Sequence, residues 1–400
     1  MAQKKVRVWK LLIFSPFYPP HIGGLETHVQ EFATHLAKRG HSAVVFAPNI
    51  PKSKEIEQEG KNFLVIRYPA FQITKSSQNA VPKFWRLRFW RLLALAGKNR
   101  PDFVMSRTRF FFSSFFAMIY AKIKGKKHIH VEHGSAFVDM RSPIITKVSW
   151  LYDKTFSKLV FFGADRVVPI STPVLKFVQR EFIKGDFEII YRGVDFSALD
   201  SVKPDREFLE KYRGFTKICV LGRVTKNKGM DVAIEAFMGL PDKYRKKAKL
   251  FVIGDGPDRE YLERLAEGEK NILFLGRVER KKAWSLLQGM DIFLNPAVSC
   301  GGLSTSLLEA MHYGLPVIST ENEGGADVVI SGKTGILLKD TSPETLRKAM
   351  EGLLEDRDYG KRLGLSAREF IRENFGWERV IDKYEKVFME LGNKSQKSNK

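Results

Sequence analysis

Short apolar runs that end in small-residue loops recur along this chain, with amphipathic stretches between them, and this recurrence narrows the fold more than any other feature. Val8–Phe14 is almost continuously apolar, runs into SPFYPPHIGG, and is followed by Leu25, Val29, Phe32 and Leu36 at helical spacing. Lys38, Arg39 and Gly40 close that helix with cations and a glycine, as the helix dipole and a left-handed cap favour. Ser42–Ala47 reads as the next strand. The pattern restarts near Lys217, where KICVLGRVTKNKG supplies a strand, a loop and a helix start; Leu250–Ile253 before GDGP, Ile272–Leu275 before GRV, and Asp291–Leu294 follow. Strands buried on both faces read as unbroken apolar runs, and strands alternating with helices assemble into parallel sheets. The expected fold is α/β, with a doubly wound parallel sheet in each half.

The polar segment 195–214, DFSALDSVKPDREFLEKYRG, breaks the pattern and marks the junction of two domains. We expect an N-terminal domain over 1–195, a C-terminal domain over 196–375, a helix over 376–392 and a structureless tail over 393–400. That helix presents Val380, Tyr384, Val387, Phe388 and Leu391, whereas NKSQKSNK has no apolar residue. Four hundred residues suit two domains of ordinary size. Two cysteines, Cys219 and Cys300, are too few for a disulfide framework and fit a reducing compartment. No N-terminal stretch has the layout of a signal peptide, and the longest apolar run, Phe110–Ala121, is too short to cross a bilayer. The expected location is cytoplasmic, either soluble or peripheral on one membrane face.

Residues 295–338, NPAVSCGGLSTSLLEAMHYGLPVISTENEGGADVVISGKTGILL, carry the densest functional signal. Strand, loop, helix and strand in that order gather loops and helix N-termini at the strand carboxyl ends, where open α/β sheets bind ligands. Glu309 is a lone carboxylate among Leu307, Leu308, Ala310 and Met311. A charge there needs a local partner or a ligand rich in hydroxyls, such as a ribose. Gly23–Gly24 at the entrance of the first helix provide either a tight turn or free amides for an anion.

The net charge of +22 is unevenly spread: residues 1–200 hold 32 Lys+Arg against 15 Asp+Glu. From Gly60 to Val131 the single carboxylate is Asp102, beside 15 basic residues. Aromatic residues alternate with the cations around Lys83, Trp85, Arg86, Arg88, Trp90 and Arg91, which suits an anionic membrane surface. A plain basic surface and a nucleic-acid groove are the competing readings of 83–98. The run 110–121 reads as a core helix.

The motifs PPHIGGLETHV, EHG at 132–134, YRGVD at 191–195, GRVTKNKG, GDGP, FLGRV and LLEAMHYGLPVI, taken in order and spacing, resemble the retaining, nucleotide-sugar-dependent glycosyltransferases of family 4. The resemblance covers roughly residues 7–391. It implies the GT-B architecture, two Rossmann-like domains facing a cleft, with a C-terminal helix crossing back to the N-terminal domain. It implies that Arg223 and Lys228 meet the donor diphosphate, that Gly23 and Gly24 approach the phosphates, and that Glu309 takes the ribose. Arg277 and Val278 would line the nucleobase, while Gly222, Gly254, Gly301, Gly302 and Leu303 complete the donor loops. His133 would stand near the transferred sugar, with Arg223 and Lys228 as its catalytic companions.

One departure stands out. The family's first motif glutamate, eight positions before Glu309, is here Gly301, and Asp327 stands where the family often has Glu. The expected activity is transfer of a sugar from a nucleoside-diphosphate sugar to a lipid or glycan acceptor at the membrane, with retained anomeric configuration. The alternatives are a catalytically weak member of the family or a sugar-nucleotide epimerase, which would convert the donor with no acceptor present. A nicotinamide dehydrogenase is disfavoured because neither GDGPDR nor HIGGLE completes Gly-x-Gly-x-x-Gly. No cofactor or metal is expected: the one Asp-x-Asp, Asp356–Asp358, is remote from every glycine loop, and no Cys/His cluster has zinc spacing. Nucleic acid is not an expected partner.

Overall fold

In a computed structural model, which describes residues 7–72, 80–137, 143–298 and 302–397, the strands of the first half are β1 (Lys10–Phe14), β2 (Ser42–Pro48), β3 (Ile56–Gly60), β4 (Phe63–Tyr68), β5 (Ala70–Gln72), β6 (Ala80–Pro82), β7 (Phe103–Arg107), β8 (Lys127–Glu132) and β9 (Arg166–Pro169). Seven of them form one sheet in the order β3-β4-β2-β1-β7-β8-β9, parallel except for β3 against β4. β5 and β6 pair separately. The second half supplies β10 (Thr216–Leu221), β11 (Ala248–Ile253), β12 (Ile272–Gly276), β13 (Ile292–Asn295), β14 (Val317–Thr320) and β15 (Ile336–Leu338). These six are parallel throughout, in the order β12-β11-β10-β13-β14-β15. Both halves are doubly wound α/β layers, as the apolar runs require.

By contact, the chain divides into a unit of residues up to Gly193 joined by those from Trp377 onward, and a unit of Val194–Gly376. In the first unit, the helix Gly24–Lys38 buries Val29, Phe32 and Leu36 completely. It ends as the sequence indicates: Gly40 has φ +90, and His41 N donates to Leu36 O at 3.1 Å, closing a Schellman turn. The last helix, Trp377–Lys397, packs on it, with Phe32 and Tyr384 rings 4.7 Å apart. His28 and His35 stack on Trp377 at 5.4 and 5.3 Å. The apolar residues Val380, Tyr384, Val387, Phe388 and Leu391 are all buried there, each contributing roughly 1.5–3 kcal/mol of gross transfer energy. Gly193 is a packing requirement, because a Cβ at that position would overlap the indole of Trp377. Where a structureless tail was expected from 393, the helix continues through Lys397. Its polar residues include good helix formers, so the apolar pattern stops before the helix does.

The second unit has its own core, built from Ile218, Val220, Leu250, Val252, Ile292, Leu294 and Ile318 on the strands and Ile234, Phe237, Leu346 and Met350 on the helices. The free thiol of Cys219 lies mid-strand in β10, and burial pushes its pKa up. Among the described residues, no helix is long and apolar enough to cross a membrane.

Candidate active site

The strand order of the second unit reverses between β10 and β13, so loops leaving these two strands diverge and leave a crevice at their carboxyl ends. Three glycines lock the loops there. Gly254, with φ +137, lies so close to Gly222 that a Cβ would overlap the Gly222 carbonyl oxygen; Gly256 approaches Val224 in the same way. Gly229, with φ +64, lies against the carbonyl of Pro296. Backbone bonds fix the same register: Gly222 N to Ile253 O at 3.0 Å, Val224 N to Asp255 O at 3.1 Å and Val298 N to Asn227 O at 3.0 Å. Lys226 N also donates to Asp258 Oδ2 at 2.9 Å. Arg223, exposed, and Lys228, half-buried, therefore sit on a loop tied to both neighbouring loops. Gly254→Ala is expected to lower the melting temperature by several degrees, since both the positive φ and the Gly222 carbonyl oppose a side chain. Differential scanning calorimetry checks this, and an unchanged transition would contradict the packing described.

The helix Thr305–His312 begins at the same end of the sheet, with Ser306 Oγ donating to Leu221 O at 2.9 Å. Glu309 on this helix is buried, and the sequence left open whether it answers to a partner or a ligand. It has a partner: Arg280 Nη2 and Nε lie 3.3 and 3.4 Å from Glu309 Oε1. Arg280 in turn lies over the Trp284 ring at 4.6 Å. Arg280 escaped the sequence reading; its one signal was a cation opening a helix just after FLGRV. Arg277 is exposed and Val278 half-buried in the turn between Gly276, with φ +66, and the helix Arg280–Leu287. Gly302 is half-buried and Leu303 buried, the latter facing the left-handed Gly324. Gly301 lies outside the described residues. Gly222, Gly254, Arg223, Lys228, Arg277, Val278, Gly302 and Leu303 thus all fall on loops at one end of one sheet, and Glu309 lies one turn into the helix that starts there.

In the first unit, Gly23 and Gly24 open the helix Gly24–Lys38 without a side-chain cap. The Glu26 carboxylate folds back over Gly23, where a Cβ would overlap it, and Glu26 Oε1 lies 2.5 Å from His21 Nδ1. His133 follows β8. Its loop is held by the wholly buried Glu132, which accepts from the amides of Arg109, His133 and Gly134 at 3.0, 3.0 and 2.6 Å. Arg109 Nη1 adds a fourth bond at 3.1 Å, and His130 Nε2 lies 3.1 Å away. Burial alone raises the Glu132 pKa, but Arg109, His130 and the Gly134 amide outweigh it and bring it down to about 2. The His133 pKa falls as well: burial and the nearby Arg107 guanidinium lower it to about 3. His133 is a neutral imidazole at pH 7, able to exchange hydrogen bonds with a hydroxyl but not to act as a fixed cation. Glu132 and Arg109, which position it, were not singled out from the sequence.

The basic aromatic segment forms the helix Leu87–Ala96, which buries Phe89, Leu92 and Ala96. Trp85, Arg86, Arg88, Trp90 and Arg91 are exposed, and Lys83 is half-buried over Phe71. The run 110–121 mostly forms the helix Phe112–Ile123, with Ala117, Met118 and Ala121 in the core. Among the described residues, no three His, Cys, Asp or Glu side chains gather as metal ligands do. Asp356 caps the helix Arg357–Asn374, accepting from Tyr359 N at 2.7 Å.

Two family models divide the chain between them: Glycosyltransferase Family 4 matches residues 22–198 and Glycosyl transferases group 1 matches residues 201–370. An uncharacterized glycosyltransferase of Methanocaldococcus jannaschii is 43% identical over 394 residues, 97% of this chain and 100% of the relative. The chain belongs to the family 4 glycosyltransferases. A GDP-mannose-dependent monoacylated alpha-(1-6)-phosphatidylinositol monomannoside mannosyltransferase of Corynebacterium glutamicum is 26% identical, covering 92% of this chain and 95% of that protein. Among solved structures, sucrose-phosphate synthase from Thermosynechococcus elongatus superposes with a TM-score of 0.78 at 18% identity, over 97% of this chain and 100% of that one. The glycosyltransferase therefore has the GT-B fold, and it is a transferase enzyme.

Proposed function

We propose that this glycosyltransferase moves a sugar from a nucleoside-diphosphate sugar to a lipid or lipid-linked glycan acceptor at the cytoplasmic face of a membrane, with retained anomeric configuration. The observation that carries the reading is the locked loop 222–229, which holds Arg223 and Lys228 at the switch of the β10–β15 sheet. As the bond between the anomeric carbon and the diphosphate oxygen breaks, its electron pair leaves with the diphosphate. Two cations on a loop that need not reorganise stabilise that charge as it develops. They take the part that a divalent ion plays elsewhere, so no metal is required. Glu309, already bonded to Arg280, takes hydroxyls of the ribose and is not a nucleophile. The acceptor oxygen then bonds to the anomeric carbon on the face that the diphosphate leaves, its proton passing to the departing diphosphate oxygen, which preserves configuration without a covalent enzyme adduct. The relative from Corynebacterium glutamicum, named for a GDP-mannose donor and a phosphatidylinositol-based acceptor, supports both substrate classes.

Thermal-shift measurements with UDP-, GDP- and ADP-sugars test the donor. A matching donor at a hundredfold excess over its Kd adds about 2.7 kcal/mol to stability, a rise of several degrees. If none of the sugar nucleotides moves the transition, the donor reading fails.

A further inference from the structure

Fourteen of the twenty-two large apolar side chains exposed among the described residues fall between Phe71 and Phe162. The segment 84–91 accounts for only part of them. A second group lies on a continuous helical stretch made of Pro143–Tyr152, a wider π turn over Asp153–Ser157, and Lys158–Phe162. Up to Ser157 this stretch is inside out, and only beyond it do apolar residues, Val160 and Phe161, turn into the core. Ser149, Asp153 and Ser157, four residues apart, face the protein interior and are buried. Val148, Leu151, Leu159 and Phe162 face outward at 62%, 57%, 51% and 67% exposure, with Trp150 and Phe156 beside them. A surface helix of a water-soluble protein has the opposite arrangement. The buried polar face is satisfied internally: Asp153 Oδ2 meets Arg109 Nη2 at 3.2 Å, and Ser157 Oγ donates to Asp153 Oδ1 at 2.7 Å.

The outward face continues into the basic aromatic surface through ring contacts. Phe156 lies 5.1 Å from Phe115, and Phe116 lies 6.4 Å from Phe84. Charge identifies the occupant. Among the described residues from 83 to 162 the carboxylates are Asp102, Glu132 and Asp153, of which the last two are buried. Lys147 and Lys158 on the stretch itself are exposed. An apolar row flanked by cations and free of exposed carboxylates fits an anionic lipid bilayer, with the rings and branched chains in the acyl boundary and the lysines at the headgroups.

We infer that the helical stretch 147–162 is a second membrane-docking element, which together with the segment 84–91 seats the enzyme on anionic lipid. This rests on the membrane part of the proposed function and adds a separate contact to it. Flotation of the full chain on phosphatidylglycerol-containing and pure phosphatidylcholine vesicles tests it. Leu151→Glu/Leu159→Glu is expected to reduce the fraction bound to anionic vesicles at least fivefold while the melting temperature stays near that of the wild type. Should that variant misfold, Val148→Ser/Phe162→Ser on the same outward face serves instead, with at least a twofold loss expected. Wild-type binding by these variants, alongside a loss in Trp85→Ser/Trp90→Ser, overturns the second element and leaves the first standing. A wild-type protein that floats with neither vesicle overturns both. A wild-type dimer that Leu151→Glu/Leu159→Glu dissociates, without vesicle binding, assigns the face to a second copy of the chain and also overturns the inference.

Discussion

Arg223→Ala and Lys228→Ala are each expected to lower turnover at least tenfold, with little change in melting temperature. Neither side chain is in the core: Arg223 is exposed and Lys228 half-buried. Their loop is held by backbone bonds and by the close approach of Gly229 to Pro296, all of which survive truncation to alanine. Lost activity therefore reports lost charge at the departing diphosphate. Removing one pre-positioned group that stabilises developing charge typically costs about a hundredfold to a thousandfold in rate. Steady-state kinetics with the donor found by thermal shift gives the answer. A fall in kcat with KM nearly unchanged marks a transition-state role, whereas near-normal rates in both variants would remove these residues from the mechanism.

Acidification from pH 7 to pH 4.5 is expected to destabilise the fold by about 5 kcal/mol, well before Glu132 is neutralised. His128 and His133 are held neutral, each lowered from 6.5 to about 3, by burial first and then by the neighbouring His130 ring and the Arg107 guanidinium respectively. A folded-state pKa below the unfolded one means that the unfolded chain binds extra protons between the two values. Stability is then intact above pH 6.5 and falls as the pH drops towards 3, by about 1.4 kcal/mol per pH unit for each histidine. Two such groups over two pH units give the quoted loss, a large part of an ordinary folding free energy of about 5–15 kcal/mol. His28, also lowered by burial and by Arg107, acts in the same direction. Glu132 does not share the window: it stays charged down to about 2, and its own contribution disappears only from about pH 4.5 towards that value. Melting temperatures at half-unit steps between pH 7 and 4.5 measure the slope. A flat profile would mean that these imidazoles are wet.

The neutral state has a structural basis that the sequence hid. Ser106 Oγ lies 2.8 Å from both His128 Nε2 and His130 Nδ1. If His128 Nε2–H donates to Ser106, Ser106 donates to His130 Nδ1 and His130 Nε2–H donates to Glu132, each bond has one proton and no imidazole needs a second. Such a chain joins β7 to β8, and only the pairing of those strands brings it together. By contrast, the strands Lys10–Phe14, Ala248–Ile253 and Ile292–Asn295 were legible because burial on both faces leaves an unbroken apolar run. Gly254, Gly229 and Gly23 were legible as loop glycines, but their neighbours, the Gly222 carbonyl, the Pro296 carbonyl and the Glu26 carboxylate, were not. Arg280 was missed for the same reason: its partner lies 29 residues away on another helix. The outward-apolar stretch 147–162 was passed over because apolar spacing reveals an amphipathic helix without telling which side faces inward; only Arg109 settles that, by taking Asp153.

Arg109 is a rivet with two ends. One guanidinium nitrogen grips Asp153 on the outward-apolar helix, and the other grips Glu132, whose oxygens also carry the amides of His133 and Gly134. The outward-apolar helix and the loop that presents His133 are thereby fastened to one another through side chains, independently of the peptide that connects them. A lateral push on the helix strains the same ionic joint that aims the imidazole, so under the proposed docking the seating of the enzyme and the setting of the His133 loop are not separately adjustable.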